Sequence, residues 1–128
     1  MTDFLADTNI LIRCLRSIPE TLELLASLAG EGRIFVSVIS RLEVLAGMKP
    51  QEERRTLESL SQFEAMPVTQ AIADQAGRWI YEYARKGVTL HFPDALIAAT
   101  AAAHGLTLVT YNTKDFPMPE VKLYSFPP

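Results

Sequence analysis

Apolar residues recur along this chain in two kinds of run: short unbroken ones, and longer ones spaced at a helical period. The short runs are "FLA" at 4–6, "RIFVS" at 33–37 and "LTLVT" at 106–110, with weaker ones in "AMPV" at 65–68 and "VKLYSF" at 121–126. Their β-branched and aromatic content predicts strands. They lack clean two-residue alternation, as expected of strands covered on both faces. Between them lie helical patterns. One helix is predicted from Thr8 to about Leu15, and a second from Pro19, with Leu22, Leu25 and Leu28 as its apolar face. Gly30 and Gly32 flank its end. Ser40 to Ala46 reads as a third helix stopped by Gly47, and Pro50 to about Gln62 as a fourth. After Thr69, the positions Ile72, Ala76, Trp79, Ile80, Tyr83 and Ala84 form an amphipathic stripe. Arg85 and Lys86 suit the negative end of that helix, and Gly87 the left-handed position beyond it. Pro93 to His104 is an alanine-rich helix closed by Gly105.

Strands alternating with helices predict an α/β fold: a mainly parallel sheet flanked by helices in a three-layer sandwich. No linker or repeat interrupts the pattern, so residues 1–128 are expected to form one domain. A chain of this size buries roughly two-thirds of its unfolded surface and needs no staples. In such sheets, functional groups collect just past the C-terminal ends of the strands.

Composition narrows the setting. The single cysteine, Cys14, cannot form an internal disulfide, and no Cys/His metal spacing exists, which favours a reducing, cytoplasmic location. Asp3 and Asp7 interrupt the N-terminus where a signal peptide would need an apolar run. No apolar stretch nears the ~20 residues that span a bilayer, so no membrane role is expected. The net charge of −3 argues against a basic nucleic-acid module. It leaves room for a nuclease whose acids are gathered in one place.

Four acids follow strand ends. Asp7 ends the first strand, Glu43 lies early in the helix after "RIFVS", Asp94 opens the alanine-rich helix, and Asp115 follows "LTLVT". Each has an ordinary structural role open to it. Asp7 suits a helix cap, Ser40 and Glu43 suit a capping box, Asp94 suits a helix dipole, and Asp115 suits an Asx turn with Asn112. Together these readings weaken. Asp7 and Asp94 are bracketed by apolar runs, and nearby cations are few apart from Arg41 and Lys114. Partly buried carboxylates without counterions take up protons, or bind a metal. Oxygen donors with no soft ligand favour Mg²⁺ or Mn²⁺. Acids without a nucleophile–histidine pair point to metal-assisted hydrolysis of a phosphate ester. His91 reads as a loop residue and His104 as a helix-end cation. A phosphotransfer domain also places an aspartate after its first strand, but Asp7-Thr8-Asn9 carries no second acid.

The segments "LADTNILI", "VSVISRLEVLAG", "PDALIAATAAAHGLTLVTYNTKDF" and "VKLYSFPP" resemble the PIN-domain family, specifically the VapC-type toxins of bacterial toxin–antitoxin pairs. The resemblance is weakest between residues 50 and 85. It implies a Mg²⁺-dependent endoribonuclease with a five-stranded parallel sheet. Asp7, Glu43, Asp94 and Asp115 match the family's acidic quartet, with Asp7 and Asp94 as direct metal ligands. Asn9, Thr110 and Asn112 match accessory positions, and Ser40 stands where threonine is common. The resemblance also implies a homodimer silenced by a cognate VapB-type antitoxin, which alone would contact DNA. "HFPD" is an unusual lead into the last helix. A non-catalytic PIN-fold regulatory subunit, acting by binding with an antitoxin, is the rival reading.

With the four acids set aside, the remaining charge is +1, so RNA need not be repelled. Arg13, Arg16 and Arg41, close in sequence to the proposed acids, are the candidate RNA contacts. Lys49, Arg54, Arg55, Arg85 and Lys86 are weaker ones, more in keeping with a solvated face.

Overall fold

The computed structural model describes residues 2–127. Its four strands are β1 (Phe4–Ala6), β2 (Ile34–Ser37), β3 (Glu64–Met66) and β4 (Thr107–Val109). Its six α-helices are α1 (Thr8–Leu15), α2 (Pro19–Ala29), α3 (Val38–Gly47), α4 (Glu53–Leu60), α5 (Gln70–Arg85) and α6 (Phe92–His104). All strand pairs are parallel, in the order β3-β2-β1-β4. The chain therefore runs outward from β1 on one side and returns to pair β4 on its other side. That reversal makes the crevice beyond β1 and β4 a natural site.

Side chains alternate across the sheet and build two cores. Leu5, Phe35 and Leu108 point to one face, where Ile72 and Trp79 of α5 and Ala95, Ile97 and Ala98 of α6 cover them. Phe4, Ala6, Val36 and Val109 point to the other, against Ile10 and Leu11 of α1, Leu25 and Leu28 of α2 and Leu60 of α4. Strands β1, β2 and β4 are thus apolar on both faces, which explains the unbroken runs in the sequence, while β3 at the sheet edge carries the exposed Glu64.

The structure corrects several expectations. The fifth strand shrinks to one bridge, Leu108 with Leu123. Leu108 donates its N–H to the Lys122 carbonyl, and Tyr124 donates to the Leu108 carbonyl, both at 2.8 Å. Pairing cannot extend backward because Val121 is tied in a turn to the Met118 carbonyl. Forward of the bridge, Tyr124 and Phe126 pack against the second core instead. Helix α3 begins at Val38, and its cap is Ser37, whose hydroxyl accepts from the Ile39 N–H at 3.0 Å. Ser40 is therefore inside the helix and the Ser40–Glu43 capping box does not form. The Pro50 helix splits into a 3₁₀ turn, Pro50–Glu52, and α4. Gly105 and Gly87 do take left-handed φ, +64° and +79°, while Gly30 stays right-handed.

Gly32 is needed for space. A Cβ there would lie 1.8 Å from the Thr2 carbonyl oxygen and 2.9 Å from an Asp3 carboxylate oxygen. The Thr2 atom is backbone beside β1 and cannot move without shifting the central strand. Gly32→Ala is expected to destabilise the protein by about 1–3 kcal/mol. Denaturant melting checks it: an unchanged midpoint would show that this turn yields freely.

Candidate functional site

Asp7 follows β1 directly and its backbone N–H extends the ladder to the Val109 carbonyl at 2.9 Å. Its side chain is 5% exposed. One oxygen accepts the Thr8 N–H at 2.8 Å, and the other accepts the Thr110 hydroxyl at 2.7 Å. The capping role is real but incomplete. It engages the first helical N–H rather than the second or third, and uses only one oxygen.

Thr110 is the hinge of the arrangement. A hydroxyl offers one proton and two lone pairs. Thr110 gives its proton to Asp7 and accepts from the Asn9 side-chain amide at 3.2 Å and the Asn112 backbone N–H at 3.0 Å. All three valences are filled, so the buried Asp7 carboxylate has a fixed orientation. Asn9 completes the link by accepting the Tyr111 N–H at 3.4 Å.

On the other side, Thr8 donates to a Glu43 carboxylate oxygen at 2.6 Å, and its hydroxyl lies 2.9 Å from that of Ser40. Thr8 has a single proton, so Ser40 supplies the proton of the second bond. The start of α1 is thereby joined to α3, and Glu43 is held toward the crevice. Sequence reasoning passed over Thr8. Its only signal was its place inside Asp7-Thr8-Asn9.

Asp94 sits in the first turn of α6, half-buried. Burial pushes its carboxyl up to about 6; the charges of Asp7, Asp115 and Glu43 act the same way, and His91 opposes them. Asp7 is raised too, first by burial and also by Glu43 and Asp115, against the lowering effect of its bonds from Thr110 and Thr8. Asp115 ends a 3₁₀ turn, Thr113–Asp115, whose backbone bond runs to the Asn112 carbonyl. The Asn112 side chain makes no Asx bond there. Mutual charge thus ties all four predicted acids to one region.

Among the described residues, no three acidic, histidine or cysteine side chains converge to the spacing of a closed metal shell. The donor chemistry still fits a divalent ion. The set is oxygen only, and none of the three ion pairs among the described residues involves these acids. Asp7 also keeps a spare lone pair on each oxygen. The structure supports less for the arginines. Arg13 lies over the Tyr111 ring at 4.6 Å. Arg16 lines a cavity of about 560 Å³ together with Glu43, Ile12, Leu15, Val44 and Met48. No hydrogen bond or ion pair among the described residues joins Arg41 to the acids. His91 is exposed at the N-cap of α6 without a capping bond, and His104 is exposed in the last turn.

A sequence profile of the PIN domain matches residues 4–120. "Ribonuclease VapC10" of Mycobacterium tuberculosis is 36% identical over 114 residues, covering 89% of this chain and 86% of that protein. Among solved structures, a toxin–antitoxin complex from Klebsiella pneumoniae contains a chain that superposes with a TM-score of 0.77 at 38% identity, covering 92% of this chain and 94% of the other. VapBC2 from Rickettsia felis, bound to a promoter DNA fragment, gives a TM-score of 0.84 at 26% identity, with 98% and 100% coverage.

Proposed function

The chain belongs to the PIN-domain family, and from that premise we propose that it is an endoribonuclease of the VapC kind, the toxin of a toxin–antitoxin pair. The observation that carries this reading is the set of four carboxylates at the strand ends, where the charges of Glu43 and Asp115 act on the buried Asp7 and half-buried Asp94 and no ion pair among the described residues involves any of the four. PIN-domain nucleases generally depend on a divalent metal. In this chain Asp7 and Asp94 would hold the ion, with Glu43 and Asp115 holding a second ion or bound water. The all-oxygen set suits Mg²⁺, and Mn²⁺ fits as well. When bound, the ion lowers the pKa of a water and neutralises charge on the phosphate.

The chain's own residues supply orientation. Thr110, Asn9 and the Asn112 backbone aim Asp7, while Thr8 and Ser40 aim Glu43. Such supporting bonds are typically worth about 10–100-fold in metal affinity or activity. Arg13, Arg16 and Arg41 would contact RNA phosphates. The cavity beside Glu43, where Ile12, Leu15, Val44 and Met48 are mixed with Arg16, Glu52 and Arg55, suits an amphipathic segment of a VapB-type antitoxin, and DNA would be reached only through that partner. A homodimer in the cytoplasm completes the reading.

The purified protein is expected to cleave labelled cellular RNA in Mg²⁺, to stop in EDTA, and to recover with Mg²⁺ or Mn²⁺. Mapping new 5′ ends after brief induction identifies the substrate. Cleavage that persists in EDTA refutes the metal, and an induced protein that cuts no RNA refutes the nuclease.

A further inference from the structure

Tyr111 lies where four parts of the chain meet. Its N–H is bound by Asn9 of α1, and its hydroxyl is 2.9 Å from the hydroxyl of Thr21 in α2. Its ring stacks on Phe126 near the chain end, with centroids 5.2 Å apart and planes 23° apart. The Arg13 guanidinium lies over the same ring. Tyr111 directly follows Thr110, the residue that aims Asp7. A half-buried tyrosine with so many restraints is a fixed platform, and an exposed arginine on it gives up much of its rotamer freedom.

Arg13 and Asn9 are four residues apart on α1 and so share a face. Asn9 bonds to Thr110, so that face leads from the acids to Arg13. The Arg13 guanidinium over this ring makes no hydrogen bond or ion pair among the described residues, so its N–H groups are free to meet a phosphate in two-point geometry. We propose that Tyr111 is a positioning residue that holds Arg13 as a preformed clamp for an RNA phosphate flanking the scissile one. The proposal rests on the ribonuclease reading. It adds to that reading a reason why Arg13, held over a ring, contributes more to substrate affinity than Arg16 or Arg41.

The test uses full-length protein and a fluorescently labelled RNA hairpin that the wild type cleaves. Arg13→Ala and Tyr111→Leu are each expected to raise KM about 5-fold with kcat within about twofold, and to lower the salt slope of binding by about one. The double variant falls little further than either single one, because both remove the same contact. Tyr111→Phe keeps the ring, loses only the bond to Thr21, and restores KM to near the wild-type value. Arg13→Lys keeps the charge without the planar, two-point guanidinium and lies between. NMR gives a readout independent of RNA: the Arg13 side-chain protons are shifted upfield by the ring, and Tyr111→Leu removes the shift while Tyr111→Phe keeps it.

An unshifted Arg13 in the wild type overturns the clamp whatever the RNA does. Unchanged KM in the Arg13→Ala and Tyr111→Leu variants overturns it while leaving the ribonuclease reading intact. Additive losses in the double variant overturn the positioning role. A wild type that cleaves no RNA overturns both readings together.

Discussion

Asp94→Asn is expected to abolish RNA cleavage and, in metal-free buffer, to make the protein more stable. Supporting residues around metal ligands typically carry about 10–100-fold each, so if Asp94 holds the ion as proposed, its loss should cost at least about 100-fold in kcat. The gain in stability has a separate origin. The Asp94 carboxyl is pushed up to about 6 by burial and by Asp7, Asp115 and Glu43. Above that pH the folded protein must hold its charge in an unfavourable place. Asparagine keeps the shape and discards the charge. The melting temperature of the variant should exceed that of the wild type at pH 8 and converge with it near pH 4, where the wild-type acid is itself neutral. A variant less stable than wild type at pH 8 would show that Asp94 has a structural role instead.

The second large effect is the response of stability to metal. Asp94 has a folded pKa above its ordinary value, and Asp7 is raised as well. Each contributes stability that is fully present below the ordinary carboxylate value and is lost as pH rises through the folded one. For Asp94 this places the loss between about pH 4 and 6 in the metal-free protein. A divalent ion reverses the trend, because it competes with the protons and binds more strongly as they leave. At 100 times its dissociation constant it adds about 2.7 kcal/mol, or about 10 °C in Tm. The Mg²⁺-dependent rise in Tm should therefore be small at pH 5, grow through pH 6 and level off above pH 7. In Asp7→Asn and Asp94→Asn it should shrink sharply. A Tm that ignores Mg²⁺ at pH 8 in the wild type would remove the metal from the site.

Much of this site was legible along the chain because it follows from local order. Asp7 and Asp94 sit beside apolar runs that must be strand and helix, and the α/β pattern then sends both to one edge of the sheet. The sheet's two-sided cover was legible for the same reason. The contacts that aim the acids were not. Thr8 reaches Glu43 across 35 residues, and Thr110 reaches Asp7 across 103. Nothing local in "DTN" or "VTYN" distinguishes a threonine that bonds a distant carboxylate from one that faces solvent. Ser40 misled for a related reason. Ser40-x-x-Glu43 has the form of a capping box, yet Ser37 lies one turn earlier and captures the helix start. The last strand failed because a β-rich sequence does not pair for long when its first residue is held in a turn and its aromatics have a core to join.

The bond from Thr110 to Asp7 also has a consequence in time. The first residues of the site leave the ribosome early, as β1 and the start of α1. Their partner β4 comes much later, and Thr110 after it is made 103 residues behind Asp7, with Tyr111 and Phe126 later still. A growing or prematurely ended chain carries Asp7 without the hydroxyl that aims it and without Asp115. On the ribonuclease reading, a site assembled from segments 103 residues apart would leave unfinished copies inactive, with an interval in which a silencing partner can be waiting when the site first closes.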